Sequence, residues 1–247
     1  MKNLSLILFL FTVIFSLKAQ EALTTFGITY KPMLSGGFIN ESDNIESESG
    51  VQYLVPKQFG YNLGMVIRKG FNETFSLETG ITYTQRNFSL QVTEEVRNFD
   101  FTQEFDVVGY ELPILGLVYI QLDQRIFMDA SFGGGLDIFP SDVALFSDGN
   151  QVIMEGRRNS WVLAFLSANI GWEYRTPKSG IFYIGGTFHR PFGPIYSYLM
   201  EYDYDALDPL VEPVRLVQIV NGNYLTLDFR YFFHEDPAKK LKRKKKN

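Results

Sequence analysis

Large apolar residues alternate with small or polar residues along much of the chain. In residues 224–233, leucine, phenylalanine and tyrosine occupy every second position from Leu225, and threonine, aspartate and arginine lie between them. A period of two places the two sets on opposite faces of a β-strand. The same pattern recurs upstream, and it predicts seven further strands: 25–34, 59–68, 73–91, 107–122, 125–139, 160–175 and 182–189.

The connections between these predicted strands alternate in length. Short connections carry turn residues, as in the KGFN sequence at 69–72, and the long ones cover 35–57, 92–106, 140–159 and 190–222. An even number of strands with alternating short turns and long loops is typical of membrane-spanning barrels. We therefore predict an all-β fold, an eight-stranded antiparallel up-and-down transmembrane β-barrel with its long loops outside the cell and both termini in the periplasm.

The residues on the two strand faces distinguish a membrane barrel from a soluble one. A soluble lipocalin-like barrel also has eight antiparallel strands, but it buries its apolar face and exposes a charged one. Here one face is uniformly large and apolar, and the other carries glycine, small polar and charged residues. This pattern favours a lipid-facing exterior around a filled, polar lumen. A soluble lipocalin-like carrier is the alternative.

The two ends of the chain differ from the barrel in composition. Residues 1–19 have an early lysine, an apolar core and a small residue at the end, which is typical of a secretory signal peptide. Residues 20–234 form one predicted barrel domain. Residues 235–247 form a basic periplasmic tail, which we expect to be disordered because it has too few apolar residues to pack. The expected location is the outer membrane of a Gram-negative bacterium.

Charge is distributed unevenly between the barrel and the tail. Residues 20–234 contain 26 acidic and 14 basic residues, whereas the tail is strongly basic. We expect the tail to contact anionic headgroups or a periplasmic or envelope protein partner. The other expected partners are outer-membrane lipid and, during insertion, the barrel-assembly machinery; no nucleic acid is expected. The tail residues predicted to make the contact are Lys239, Lys240, Lys242, Arg243, Lys244, Lys245 and Lys246.

Charged residues also lie on the polar face of the predicted strands, where they point into the lumen. Isolated charges in so narrow an interior are costly, so we expect them to form ion pairs that fill it. The predicted network comprises Arg68, Glu78, Glu111, Asp129, Glu173, Arg175, Asp228 and Arg230, with Asp137 on the same face.

Two local features interrupt the regular pattern. Pro113 cannot donate a hydrogen bond to a neighbouring strand, and a closed barrel has no free edge to receive it. Leu163 and Phe165 occupy the polar face of their strand. We predict a β-bulge at Pro113 and another near Leu166, since an extra residue restores the alternation.

Two consecutive strands carry motifs of a known family. Residues 107–115 are VVGYELPIL, and residues 125–135 are RIFMDASFGGG. This tyrosine–acid–hydrophobe–proline strand, followed by a glycine-rich strand, resembles the outer-membrane β-barrel domain family of Bacteroidota, often called PorT-like. The resemblance covers about residues 20–233 and implies the barrel architecture, with an accessory role in protein secretion as one expectation. The basic extension departs from the family, which usually ends at the aromatic strand.

Candidate chemistry is sparse. Some eight-stranded outer-membrane barrels modify lipid A with His and Ser, and His189 has Ser160 and Ser197 at plausible rim positions, but no third group orients a base. We interpret His189 as an interfacial residue at the barrel rim. The acidic run of Glu201, Asp203, Asp205 and Asp208 lacks the EF-hand pattern and is interpreted as solvated surface.

The sequence therefore assigns no catalytic residue, cofactor or metal site. We expect a non-enzymatic outer-membrane β-barrel protein with a structural or interaction role in the cell envelope. A lipid-modifying enzyme of the outer membrane and a soluble lipocalin-like carrier are the alternatives.

Overall fold

The structure is a computed structural model that describes residues 24–34, 46–48, 50–147, 149, 151–204 and 212–234. The predicted signal peptide and basic tail lie outside these residues. Within them no helix has the length and apolar character needed to cross a membrane. Fourteen strands are present in the described part of the chain: β1 (Thr24–Pro32), β2 (Glu46–Glu48), β3 (Val51–Leu54), β4 (Tyr61–Gly70), β5 (Phe75–Glu94), β6 (Phe99–Gln121), β7 (Ile126–Ile138), β8 (Val143–Phe146), β9 (Val152–Arg158), β10 (Val162–Arg175), β11 (Ile181–Pro191), β12 (Pro194–Tyr202), β13 (Val214–Asn221) and β14 (Tyr224–Phe232).

Eight of these strands close into a barrel. They pair antiparallel in the order β1, β4, β5, β6, β7, β10, β11 and β14, and β14 pairs with β1 to complete the ring. Tight turns join β4 to β5, β6 to β7 and β10 to β11 at one end, where β1 begins and β14 ends. The predicted fold class is confirmed, and these eight strands coincide with the predicted eight apart from their ends.

The barrel exposes an apolar surface all the way round. Every strand places large hydrophobic side chains outward, where they are exposed by about a third to two thirds, while most of its alternate residues are buried in the lumen. A water-soluble barrel has the opposite facing, so this belt is the surface that meets lipid. One outward residue from each strand in ring order illustrates the belt: Ile28, Met65, Ile81, Ile114, Phe132, Ile170, Ile184 and Phe229.

The long connections fold into a second structure that we call the cap. Strands β8, β9, β12 and β13 form a separate antiparallel sheet, and β2 and β3 extend the barrel sheet alongside the C-terminal end of β5. The two parts enclose one apolar core, so the prediction of loops at 92–106, 140–159 and 190–222 was wrong, and so was that at 35–57 for its described residues. The largest buried residues of this core include Tyr53, Phe88, Leu90, Phe139, Met154, Ile195, Tyr196, Tyr198 and Met200.

β5 changes the character of both faces where it leaves the barrel. Apart from the half-buried Gly80, its inward residues are buried polar residues up to Arg86 and buried apolar residues from Phe88 to Val92. Its outward residues change in the opposite sense, from the lipid-facing Ile81 and Tyr83 to glutamine, asparagine and threonine above Gln85. The switch marks the level at which the strand passes from lipid into water.

Neither predicted bulge is present. At Pro113 the β5–β6 pairing omits two residue pairs, but its register is the same on both sides of the gap. The Thr79 hydroxyl donates a hydrogen bond to the Pro113 carbonyl (2.8 Å), and a cavity of about 20 Å³ lies beside it. Pro113 thus interrupts the β5–β6 hydrogen-bond ladder because it lacks an N–H donor, and the strand contains no extra residue at this point.

The register is also continuous through Leu166, because Phe165 belongs inside the barrel. It is buried against Gly135 of the neighbouring strand, where a β-carbon would lie 2.5 Å from the phenyl ring. Glycine therefore makes the space that the aromatic ring occupies, and no bulge is needed to turn the ring outward.

Candidate functional site

Polar side chains fill the lumen in two groups at different heights. We call the group nearer the short turns the lower network and the group directly beneath the cap the upper cluster. The lower network consists of Lys31, Arg68, Glu78, Asp129, Glu173, Arg175, Asp228 and Arg230, and the upper cluster of Asn62, Thr84, Arg86, Glu111, Asp137, His189 and Tyr224.

The lower network is a chain of alternating charges. Arg68 donates to Glu78 through Nε and Nη2 (3.1 and 2.9 Å) and to Glu173 through Nη1. Arg175 donates twice to the second oxygen of Glu173 (3.0 and 2.9 Å). Arg230 donates to Glu78 (2.6 Å) and closes the chain on the β14 side. Removing any one residue of such a network leaves a buried charge without its partner, which strongly destabilises the fold.

Asp228 and Asp129 occupy very different positions in this network. Asp228 accepts hydrogen bonds from Arg230 (2.7 Å), from two threonine hydroxyls (2.6 Å each) and from the Asn169 amide (3.1 Å). Asp129 is equally buried, yet no amide, hydroxyl or guanidinium group donates to either of its oxygens, and its carboxyl group contacts another carboxyl group, that of Glu173. Of the eight lumen residues predicted from the sequence, seven lie in the lower network, and Glu111 lies in the upper cluster.

Two contacts cross the full width of the barrel. Arg68 on β4 bonds to Glu173 on β10, and the Tyr224 hydroxyl on β14 bonds to Glu111 on β6 (2.6 Å). In each case the two strands stand four places apart in a ring of eight, so they face each other across the diameter. The lumen is therefore obstructed at two levels.

The upper cluster is built around two carboxylates. Glu111 Oε1 accepts hydrogen bonds from Tyr224 and from the Thr84 hydroxyl (2.7 Å). Asp137 Oδ2 lies 2.9 Å from Nε2 of His189. The Arg86 guanidinium lies 3.6 Å from Glu111 and 4.0 Å from Asp137, which is an ionic contact without a hydrogen bond.

His189 is an interior residue, and the prediction that it lies at the rim as an interfacial group was wrong. Only 1% of it is exposed, and its ring is held between Phe165 (centroids 4.2 Å apart) and Tyr224 (4.4 Å, nearly parallel). Of its two suggested catalytic partners, Ser197 lies on β12 in the cap, where its hydroxyl donates to Asn159, and the Ser160 hydroxyl donates to the Val162 carbonyl (2.6 Å). The arrangement of a rim enzyme is therefore not formed.

The upper cluster leaves several buried polar atoms without partners. None of the three guanidinium nitrogens of Arg86 makes a hydrogen bond, and neither do Oδ1 of Asp137 and Oδ1 of Asn62. Buried polar atoms are nearly always satisfied by protein, water or a bound group. The cluster is thus open to a further occupant that can accept or donate at these atoms.

The strand alternation could have located the upper cluster. Arg86 and Thr84 share the inward parity of Glu78, and Tyr224 shares that of Asp228. Arg86 lies within the predicted strand 73–91, on its polar face, so the alternation assigns it to the lumen although it was not included in the predicted network. Of the acidic run, Glu201 pairs with Arg215 (2.9 Å), whereas Asp205 and Asp208 lie outside the described residues.

A closed eight-stranded barrel with an apolar exterior and an ion-paired lumen has the architecture of the outer-membrane β-barrel proteins. Two solved structures are similar to this chain. The crystal structure of the outer membrane protein OprG from Pseudomonas aeruginosa matches with a TM-score of 0.55 at 14% identity, covering 88% of this chain and 99% of that one. The solid-state NMR structure of the outer membrane protein AlkL in DMPC lipid bilayers matches with a TM-score of 0.46 at 10% identity, covering 88% and 94%.

At such identities the likeness to OprG establishes the fold alone, that of an outer-membrane β-barrel. No protein-family model matches the chain, and no curated protein matches it.

Proposed function

We propose that this protein is a non-enzymatic outer-membrane barrel with a closed lumen, whose cap serves as an interaction surface in the cell envelope. The observation that carries the proposal is the pair of contacts across the barrel diameter. Solute passage requires these buried bonds to break, so the lumen is a poor route and the surfaces beyond the membrane become the functional ones.

The construction of the cap supports an interaction role. Flexible loops need no core of their own, whereas this cap buries a set of tyrosines and large aliphatic residues between two sheets. A rigid surface binds a partner at lower entropic cost than a mobile one. The cap sheet formed by β8, β9, β12 and β13 carries apolar side chains that are each more than half exposed, at Phe146, Val217 and Ile219.

In this proposal the cap faces outward and both termini lie in the periplasm, because the tight turns, the start of β1 and the end of β14 share one end of the barrel. The basic tail provides a second contact, to headgroups or to a periplasmic protein. An accessory role in protein secretion, which the PorT-like resemblance suggests, is the narrowest form of the proposal.

Site-specific photocrosslinking in native membranes tests the interaction role. A benzophenone amino acid replaces Ile219 on the cap, and a matched protein carries it at Ile170 on the lipid-facing belt, a residue of similar exposure. We expect a discrete protein adduct from position 219 and only lipid adducts from position 170. Lipid adducts alone from position 219, and equally from positions 146 and 217, would contradict the proposal.

Two further measurements complete the test. Planar bilayers containing the purified protein should show no steady conductance; a stable open channel would overturn the closed-lumen part. The crosslink from position 219 is then repeated with a chain that ends at Phe233. Retention of the adduct would show that the contact made by the cap is independent of the tail, and its loss would show that this contact requires the tail.

A further inference from the structure

We propose that Glu111, Asp137 and His189 form a binding site for one divalent transition-metal ion, of the Zn²⁺ class, at the outer mouth of the lumen. The three residues come from β6, β7 and β11, and all are buried. One ligand atom from each lies within 4.8 Å of the others. Metal–ligand distances of about 2.0–2.2 Å are then reached by side-chain shifts of less than about 1 Å.

Carboxylate oxygens without close hydrogen-bond partners indicate that a cation can bind among the three residues. Asp137 Oδ1 has no hydrogen-bond partner although the residue is 1% exposed. The two carboxylate oxygens of Glu111 differ in their contacts. Oε1 accepts hydrogen bonds from Tyr224 and Thr84, whereas Oε2 has only a long contact to the Asn62 amide (3.5 Å). One oxygen of each carboxylate is therefore available to a cation. The hydroxyls on Oε1 orient Glu111 as outer-shell groups do in metal sites.

His189 is held in the orientation that such a site requires. Its ring lies between Phe165 and Tyr224, and Nε2 is directed at Asp137 (2.9 Å). An imidazole fixed by stacking has little freedom left to lose when it binds an ion, which raises affinity. The bond from Nε2 to Asp137 is the one that a bound ion replaces.

The charges of the cluster favour a cation over an anion. Two carboxylates face one guanidinium, so with a neutral imidazole the cluster is negative. Arg86 contacts the carboxylates at 3.6 and 4.0 Å, far enough to leave their free oxygens uncovered. One nitrogen and two oxygen ligands suit Zn²⁺ and its neighbours, whereas Ca²⁺ takes six to eight oxygens.

The composition of the chain makes the site testable. It contains two histidines and no cysteine, so a metal–nitrogen bond to a side chain identifies either His189 or His234. His234 is exposed just beyond β14 and serves as the matched control. The full barrel is refolded with Zn²⁺ present, because the cap covers the site, and bound metal is counted after desalting.

We expect about one Zn²⁺ per chain in the wild type and in His234→Gln. His189→Gln and Glu111→Gln should bind at least about tenfold more weakly. Zn²⁺ should raise the unfolding temperature of the first two proteins only. A wild type that retains no Zn²⁺, or a His234→Gln variant that loses it, overturns the proposal.

A spectroscopic measurement guards against variants that fail to fold. Cu²⁺ bound to the wild-type barrel should give an electron paramagnetic resonance spectrum with coupling to a single imidazole nitrogen, and His234→Gln should give the same spectrum. Coupling that is absent in the wild type, or that disappears in His234→Gln, shows that the cluster is not the metal site.

Discussion

The part of the barrel that carries the lipid-facing belt, which we call the membrane section, and the cap have opposite types of residue in their interiors. In the membrane section the inward face of β5 carries Glu78 and Arg86 and the outward face carries Ile81, whereas in the cap the inward face carries Phe88 and Leu90. The strand is continuous and its parity does not change. The surroundings alone decide which face is polar, since lipid excludes charge and water excludes hydrocarbon.

This contrast predicts which bonds hold each part. The outward apolar side chains of the membrane section contact lipid rather than each other, so they add little to the stability of its strand pairing. We therefore expect the ion pairs of the lower network to stabilise the contacts between its strands. The cap is stabilised in the ordinary way by an apolar core. Substitutions made in only one of the two parts therefore measure the contribution of the ion pairs and that of the apolar core separately.

The largest effect is expected from the lower network. Arg68→Met leaves Glu78 and Glu173 each with one partner fewer in a buried site, at a cost of about 3–5 kcal/mol in the free energy of unfolding. Urea unfolding in detergent measures it. Arg215→Met, which removes an exposed pair in the cap, should cost less than about 1 kcal/mol. Equal costs for the two variants would refute the assignment of stability to the lumen.

The apolar core of the cap comes next. Phe88→Ala removes a fully buried ring that stacks on Phe105 (5.5 Å) and should cost about 3–5 kcal/mol. Phe132→Ala on the lipid-facing belt should cost less, because lipid fills the space. The cap should be cleaved faster by protease in the first variant while the barrel stays intact. Protection equal to wild type would show that the core does not hold the cap.

A smaller effect of opposite sign is expected at Asp129. Its carboxyl group is buried against that of Glu173 and receives no hydrogen bond from an amide, hydroxyl or guanidinium group, so Asp129→Asn, which removes one negative charge from this contact, should stabilise the barrel by about 1–3 kcal/mol. Asp228→Asn, which weakens the bonds from Arg230 and the two threonines, should destabilise it. The same unfolding assay compares them. A loss of stability in both variants would indicate that Asp129 has a role the lower network does not reveal.

The smallest effect concerns pH and belongs to the cap. Burial, together with the hydrogen bond from its hydroxyl to Glu94 (3.0 Å), raises the pKa of Tyr202 from 10 to about 12. The folded cap holds this proton more tightly than the unfolded chain does. The resulting stability is complete below pH 10 and is lost as the pH rises toward 12.

Protease protection of the cap between pH 9 and pH 12 measures this loss. Tyr202→Phe should show a shallower decline than the wild type, since it has no phenol to ionise. Identical declines would mean that other groups control the alkaline response.

The sequence predicted the barrel well because alternation and loop length are local signals. It failed at the cap because the residues between Phe99, Phe101 and Phe105 are all polar, so the segment was interpreted as a polar loop, and only the facing sheet explains the three rings. It failed at His189 because partners across a barrel depend on the stagger of the strands, which no single strand encodes. The absence of a bulge at Phe165 depended on Gly135, a residue on another strand.

The switch of faces on β5 also guards against errors during assembly. A strand that slips by one position relative to its neighbours turns every side chain to the other side. For β5 such a slip would push Glu78 into hydrocarbon and, in the same movement, Phe88 into water. A misaligned strand is therefore penalised in two different solvents at once, so the correct alignment is enforced even before the remaining strands have joined.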